Sequence, residues 1–275
     1  MKLRTLALAP LLATACAHVV PVPPDLGTEA DVPKGGGDEA QSGFDGQSNG
    51  FADAATFQDD LDEFDAVETI ADGLGPLYNA QSCRECHQNP VSGGGSQIAE
   101  LRAGHRDASG RFEAPRVPIA RGKAFVEGRT LINDRAICPN GAHPDDQIEE
   151  RVPDSETVRT FRLSVNVLGD GFIEAVDDDF LRDYAERQRR ATDGRIAGLV
   201  VEVPVLEATA ESHRVGRFGW KDQQASLLSF AADAYLNEMG ITSRLQPDEV
   251  TTLCDEVADP EDTPGAAVTR RDRRA

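Results

Sequence analysis

The chain has 275 residues, enough for one large domain or two small ones with a buried core. Hydrophobic residues make up 39% and charged residues 28%, near the average of globular proteins, which excludes wholesale disorder and a protein with many membrane spans. The net charge of −20 repels phosphate backbones, so we expect no nucleic-acid partner.

The N-terminus has the order of a secretory signal. A basic start is followed by apolar residues 6–12 and by small residues that lead into Cys16. The segment is too short to span a bilayer permanently, so we predict a signal peptide over residues 1–15. The setting of Cys16 resembles a bacterial lipobox, whose cysteine becomes the lipidated first residue of the mature protein. We therefore expect a periplasmic or cell-envelope protein with a lipid anchor at Cys16; the alternative is an ordinary signal cleaved after Ala17.

Composition divides the rest of the chain into a folded part and two polar ends. Residues 16–50 are rich in Pro, Gly, Ser and Asp and lack apolar periodicity, which predicts a disordered tether. Residues 259–275 combine acidic residues, prolines and a basic cluster, which predicts a disordered tail. The folded domain is therefore expected over residues 51–258.

The most specific motif is Cys-Arg-Glu-Cys-His at residues 83–87, which has the C-x-x-C-H spacing of c-type haem attachment. One helical turn presents the thiols of Cys83 and Cys86 on the same side, so that each can add to a haem vinyl group as a thioether. His87 then supplies the proximal imidazole to the iron. Bacteria attach such haem outside the cytoplasm, in agreement with the predicted signal peptide. The sequence therefore predicts one covalent haem c.

Two other interpretations of the motif remain open. Cys83 and Cys86 would be half of a zinc site, although the chain has no second C-x-x-C to complete it. They would also make a thiol redox pair, although the preceding residues 73–76 do not read as the βαβ context of a thioredoxin-like motif.

The residues around the motif resemble a known family. Residues 73–87, GLGPLYNAQSCRECH, resemble the G-L-G-P-x-[FY]-N-x-x-S-C-x-x-C-H signature of a bacterial di-haem oxidoreductase family. Its members are often described as thiol oxidoreductases and are distantly similar to di-haem cytochrome c peroxidases. The glycine-rich run 93–96, residues 217–221 (RFGWK) and residues 237–243 (NEMGITS) look like further blocks of that family, in the same order.

One departure from the family concerns the second haem. Family members carry a second C-x-x-C-H toward the C-terminus, and this sequence has none after Cys254 or anywhere else. The resemblance therefore implies the first, haem-bearing half of such a protein. It also raises the alternatives of a truncated remnant of a di-haem enzyme and of a partner subunit that carries the second haem.

The sixth iron position has several candidates. Residues 222–239 predict a helix that Asp222 caps and Gly240 ends, and the apolar spacing turns Met239 inward. Met239 is therefore either an iron ligand or a core methionine. The other candidates are histidines, each of which is otherwise a surface or hydrogen-bonding residue: His105 in a predicted loop soon after the motif, His143 in a predicted irregular loop, and His213.

Three side chains among residues 217–221 are expected to lie near the haem. Trp220 would lie at the haem edge or serve as a core anchor. Arg217 and Lys221 would pair with the haem propionates.

Two cysteines are left after these assignments. With Cys16 given to lipid and the motif cysteines to haem, Cys138 and Cys254 remain. Leftover thiols in an oxidising compartment tend to pair, so we predict a disulfide between them.

The expected fold is mainly α, a cytochrome c-like haem domain with a few short β-strands and long loops. Capping residues and apolar spacing predict helices at residues 57–71 and 177–190. Residues 198–206 predict a strand, paired with residues 214–218.

The expected function is that of an exported c-type cytochrome, which carries one covalent haem and transfers single electrons to a redox partner protein. The alternative is a haem peroxidase or oxidoreductase with an open distal site.

Overall fold

A computed structural model describes residues 44–48, 50–138, 148–209 and 211–255. The predicted signal peptide, Cys16, almost all of the tether, the tail and His143 lie outside the described residues. Within the described part, the structure is 27% helical and 19% strand. The expectation of a mainly α, cytochrome c-like domain is therefore wrong. Segments between the helices form short strands, and two of the pairings, of residues 77–78 with 135–136 and of residues 99–104 with 158–163, join residues far apart in sequence, which local periodicity does not reveal.

Four of the five α-helices in the described residues begin at a side-chain cap, and the one that follows Gly169 does not. Asp53 accepts from the backbone N–H of Thr56 at 2.8 Å, and Asp177 accepts from that of Asp179 at 2.8 Å. The helix predicted at residues 177–190 is confirmed, whereas the one predicted at 57–71 begins and ends earlier. The α-helices are α1 (Ala54–Asp65), α2 (Cys83–Cys86), α3 (Asp170–Glu174), α4 (Asp178–Ala191) and α5 (Leu227–Ala234).

The last helix is shorter than predicted at its start. It begins after Ser226, whose hydroxyl accepts from the N–H of Ser229 at 3.0 Å, and not at Asp222. It continues as a π-helical turn, Tyr235–Met239, and ends at Gly240 as predicted. Gly240 has φ 68°, and a Cβ there would lie 2.6 Å from the carbonyl oxygen of Leu77. The close approach explains why glycine holds this position.

Small antiparallel sheets make up the β structure of the described residues. The three-stranded sheet has the order β3-β2-β7, and the pairs are β1-β6, β4-β5 and β8-β9. The pairing predicted between residues 198–206 and 214–218 is confirmed in shorter form by β8 and β9. The strands are β1 (Leu77–Tyr78), β2 (Ala99–Arg106), β3 (Phe112–Glu113), β4 (Val117–Ile119), β5 (Ala124–Val126), β6 (Arg135–Ala136), β7 (Val158–Leu163), β8 (Glu202–Pro204) and β9 (His213–Val215).

The disulfide predicted between Cys138 and Cys254 is confirmed. Their Cα atoms lie 5.9 Å apart, and both residues pack against an aliphatic core cluster that includes Leu77, Ile119 and Ile148. The bridge joins residues 116 positions apart, so it ties the C-terminal end of the described chain to this core.

Among the described residues, helices are too short or too polar to cross a bilayer.

Candidate functional site

The C-x-x-C-H motif forms one short helix with its own cap. The Ser82 hydroxyl accepts from the backbone N–H of Glu85 at 3.2 Å, and the Glu85 carboxylate accepts from the backbone N–H of Gln81 at 2.8 Å. The backbone N–H of His87 donates to the carbonyl of Cys83 at 3.0 Å and closes the turn. Residues three apart share a side of a helix, so the two cysteines face the same way.

Both motif cysteines are held as protonated thiols. Neither is in a disulfide; Cys86 is buried and Cys83 is partly buried. Burial, followed by the charge of Glu68, raises the pKa of Cys83 to about 11. Burial, followed by the charges of Glu100 and Glu238, raises the pKa of Cys86 to about 12. A thiol–disulfide enzyme needs a thiolate near neutral pH, and this environment favours the opposite state.

The His87 ring is fixed by a backbone carbonyl. Its Nδ1 lies 2.9 Å from the carbonyl oxygen of Val165, which can only accept, so Nδ1 carries the proton. Burial lowers the pKa of His87, against the opposing effect of the carbonyls of Val165 and Gly94. The ring is therefore neutral near pH 7, with the lone pair on Nε2. This tautomer is the one that a metal-binding imidazole uses when its other nitrogen donates to the protein.

Met239 lies in the same apolar cluster as the first motif cysteine. It is 3% exposed and packs with Leu74 and Ile241, and Cys83 and Tyr235 pack against that cluster. The inward orientation predicted for Met239 is confirmed. That Met239 binds the iron stays a prediction, because a methionine that only fills the core would lie in the same place.

The two candidate histidines that lie within the described residues, His105 and His213, each have a hydrogen-bond partner in the protein. His105 lies in strand β2, not in the expected loop, and its Nδ1 donates to the buried carboxylate of Glu156 at 2.8 Å. His213 begins β9, is exposed, and contacts the carbonyl of Glu211 at 3.2 Å. Within the described ranges, no group of three or more His, Cys, Asp or Glu side chains is placed to hold a metal ion.

Arg217 has a structural role in place of the one expected. Its side chain is 4% exposed, donates to the carbonyl of Val176 at 2.6 Å and pairs with the carboxylate of Asp178. These bonds join the end of α3 to the start of α4, so its guanidinium is committed to the protein. Lys221 lies 5.7 Å from the ring centre of Phe112.

Trp220 is not a core anchor. Its side chain is 56% exposed, and the guanidinium of Arg162 lies 5.6 Å from the centre of its ring.

The sequence interpretation missed a partly buried ionic network near Cys86. Arg102 donates to Glu100 at 2.8 Å and lies 3.5 Å from Glu238, which also accepts from the Asn79 amide at 3.0 Å. Burial, followed by the charge of Glu100, raises the pKa of Glu238 to about 7. The alternation of charged residues 100 and 102 along β2 was the only local signal of this network.

The donor set of residues 83–87 fits a covalent haem. It comprises two protonated thiols on one helical turn and a neutral imidazole whose Nδ1 is already bonded. A cavity of about 440 Å³ is lined by Leu74 and Tyr78, which also pack in the cluster that contacts Cys83, but the motif cysteines and His87 do not line it.

No protein-family model, curated protein or solved structure matches this chain. The resemblance to di-haem oxidoreductases therefore rests on the sequence blocks alone.

Proposed function

We propose that this protein is an exported c-type cytochrome that carries one haem, bound covalently by Cys83 and Cys86, and transfers single electrons. His87 is the proximal ligand in this proposal. The observation that carries it is the combination of two same-side protonated thiols with a neutral imidazole whose Nδ1 is held by the Val165 carbonyl.

The thiols support this role because they are poorly suited to the main alternative. A redox pair acts through a thiolate, whereas burial and nearby carboxylates keep Cys83 and Cys86 protonated. Thioether formation consumes both thiols once, during maturation, so the mature protein needs no reactive thiolate. A bound haem supplies a one-electron ferric/ferrous couple.

Electron transfer is favoured over peroxidase chemistry by the position of Met239. A thioether sulfur buried in the cluster that contacts Cys83 gives the chain a candidate sixth ligand, which would close the iron to peroxide. The motif occurs once in the sequence, so the chain itself would store one oxidising equivalent on iron.

The experiment is expression of the full chain with cytochrome c maturation machinery, followed by pyridine haemochrome assay and intact-mass analysis. We expect one haem per chain in the wild type and none attached in the double variant C83A/C86A. R84A is the matched control inside the motif. Arg84 is 57% exposed and pairs with Asp65 at 2.7 Å, so R84A should keep its haem.

A colourless protein with the mass of the bare polypeptide would reject the haem proposal. A haem that is attached but five-coordinate and high-spin, with a spectrum that responds to peroxide, would favour the enzyme with an open distal site.

A further inference from the structure

One face of the β2-β7 sheet adjoins Cys86. Directly opposed residues of an antiparallel pair share a face, and the register pairs Glu100 with Arg162. Ser164 follows Arg162 by two residues and lies on the same face, where its hydroxyl is 3.5 Å from the Glu100 carboxylate. The Ser164 side chain also hydrogen-bonds to the Cys86 thiol. Arg162 is therefore one strand repeat, about 7 Å along the chain, from a residue that touches the motif.

Arg162 is a cation on this face whose guanidinium is not hydrogen-bonded to a carboxylate among the described residues. Among the described residues, its guanidinium has no hydrogen-bond or salt-bridge partner, and the opposed carboxylate of Glu100 is taken by Arg102 at 2.8 Å. Burial, followed by the charge of Arg102, lowers the pKa of Arg162. Glu100 is directly opposite in the register and its charge opposes that shift, but its hydrogen bond goes to Arg102, so the Arg162 guanidinium keeps its donors for an anionic ligand.

Trp220, the aromatic neighbour of Arg162, is also largely exposed to solvent. Trp220 lies under the guanidinium at 5.6 Å from its ring centre, yet more than half of its surface is exposed. Arg162 supplies a planar guanidinium that can donate two parallel hydrogen bonds, and Trp220 supplies a flat apolar ring beside it. That pair matches a ligand with a carboxylate on the edge of a large aromatic ring.

We propose that Arg162 binds a haem propionate, with Trp220 packed against the adjoining porphyrin edge. This inference rests on the proposed function. Arg162 lies on the sheet face whose Ser164 touches Cys86, and its guanidinium has no hydrogen-bond partner among the described residues. Arg217, by contrast, is committed to Asp178 and to the carbonyls at the end of α3.

The test is the reduction potential of the haem-loaded protein, measured by spectroelectrochemistry for the wild type and for R162Q. Loss of a cation near the iron stabilises the ferric form. We expect R162Q to shift the ferric/ferrous equilibrium about tenfold toward ferric, which lowers the potential by about 59 mV for one electron. R162K keeps the charge and should recover most of the wild-type potential.

R116Q is the matched control, because Arg116 also lies over an aromatic ring, that of Phe125 at 3.2 Å, in the separate β4-β5 pair. R116Q should leave the potential unchanged. Resonance Raman spectra add a direct readout, since the propionate bending mode should shift in R162Q and not in R116Q.

The outcomes separate the two proposals. Wild-type protein without attached haem rejects the proposed function and this inference together. Attached haem in both variants, with R162Q equal to R116Q in potential and in the propionate mode, rejects Arg162 as the propionate partner and leaves the cytochrome proposal standing.

Discussion

His87 donates from Nδ1 to the carbonyl oxygen of Val165, over 2.9 Å. The two residues are 78 positions apart, so the orientation of the imidazole depends on the segment that follows β7 and not on the motif alone. The bond holds the ring in one tautomer and leaves Nε2 with the lone pair. In the proposed cytochrome, this contact makes the motif a rigid ligand before any metal is bound.

Met239 offers a test that separates ligation from packing. M239L keeps the volume of the side chain but removes the sulfur, so as a core change it should cost less than about 1.5 kcal/mol. If Met239 binds iron, M239L should lose the six-coordinate low-spin spectrum despite a normal fold. M239A should lose the same spectrum and in addition about 2–5 kcal/mol of stability from the cavity that it leaves. A low-spin spectrum that survives in M239L would assign Met239 to the core.

The motif thiols should react slowly in protein made without haem. With pKa values of about 11 and 12, roughly a thousandth or less of each thiol is ionised at pH 8. Alkylation of Cys83 and Cys86, followed by mass spectrometry, should be slow at pH 8 and accelerate above pH 10. The same protein in urea is the control and should react at the ordinary rate. Equal rates in folded and unfolded protein would contradict the buried, protonated state.

Arg217 should be among the more sensitive positions for stability. Its side chain is 4% exposed and pairs with Asp178, so R217A removes one donor from that carboxylate and the guanidinium donor from the carbonyls of residues 173, 174 and 176. We expect a loss of about 3 kcal/mol in urea unfolding. R182A is the matched control, because Arg182 also faces Asp178 but is 41% exposed, and it should cost less than about 1 kcal/mol. Similar losses in both variants would contradict the buried role of Arg217.

Glu238 should make stability fall as the pH rises toward neutral. Its pKa is raised from 4.5 to about 7, so between these values the folded protein keeps a proton that the unfolded chain has lost. The stabilisation is complete below about pH 4.5 and is lost as the pH rises through about 7. It amounts to at most about 3 kcal/mol.

The measurement for Glu238 is the pH dependence of the free energy of unfolding between pH 4.5 and 8. Burial also raises the pKa of Glu150 and Asp233, so the informative quantity is the difference between wild type and E238Q. E238Q should flatten the slope, while E149Q, which changes an exposed carboxylate, should not. An unchanged slope in E238Q would contradict the raised pKa.

Local patterns predicted the elements whose stabilising contacts are close in sequence. The cap at Asp177 and the stop at Gly240 depend on backbone groups within about four residues, so the sequence reveals them. The pairing of β2 with β7 joins residues 99–104 to residues 158–163, and no local sequence pattern indicates which strand pairs with β2. His105 was therefore expected in a loop although it lies in β2.

The sequence by itself determined the chemistry of the motif. Cys83, Cys86 and His87 share one turn because residues three and four apart meet on any helix, and Cys138 and Cys254 were paired by elimination. Only the tertiary structure decided how these groups behave. Thiol pKa values, the tautomer of His87 and the surroundings of the Arg162 guanidinium depend on burial and on groups from distant strands. Those quantities are properties of the assembled fold and not of any short segment.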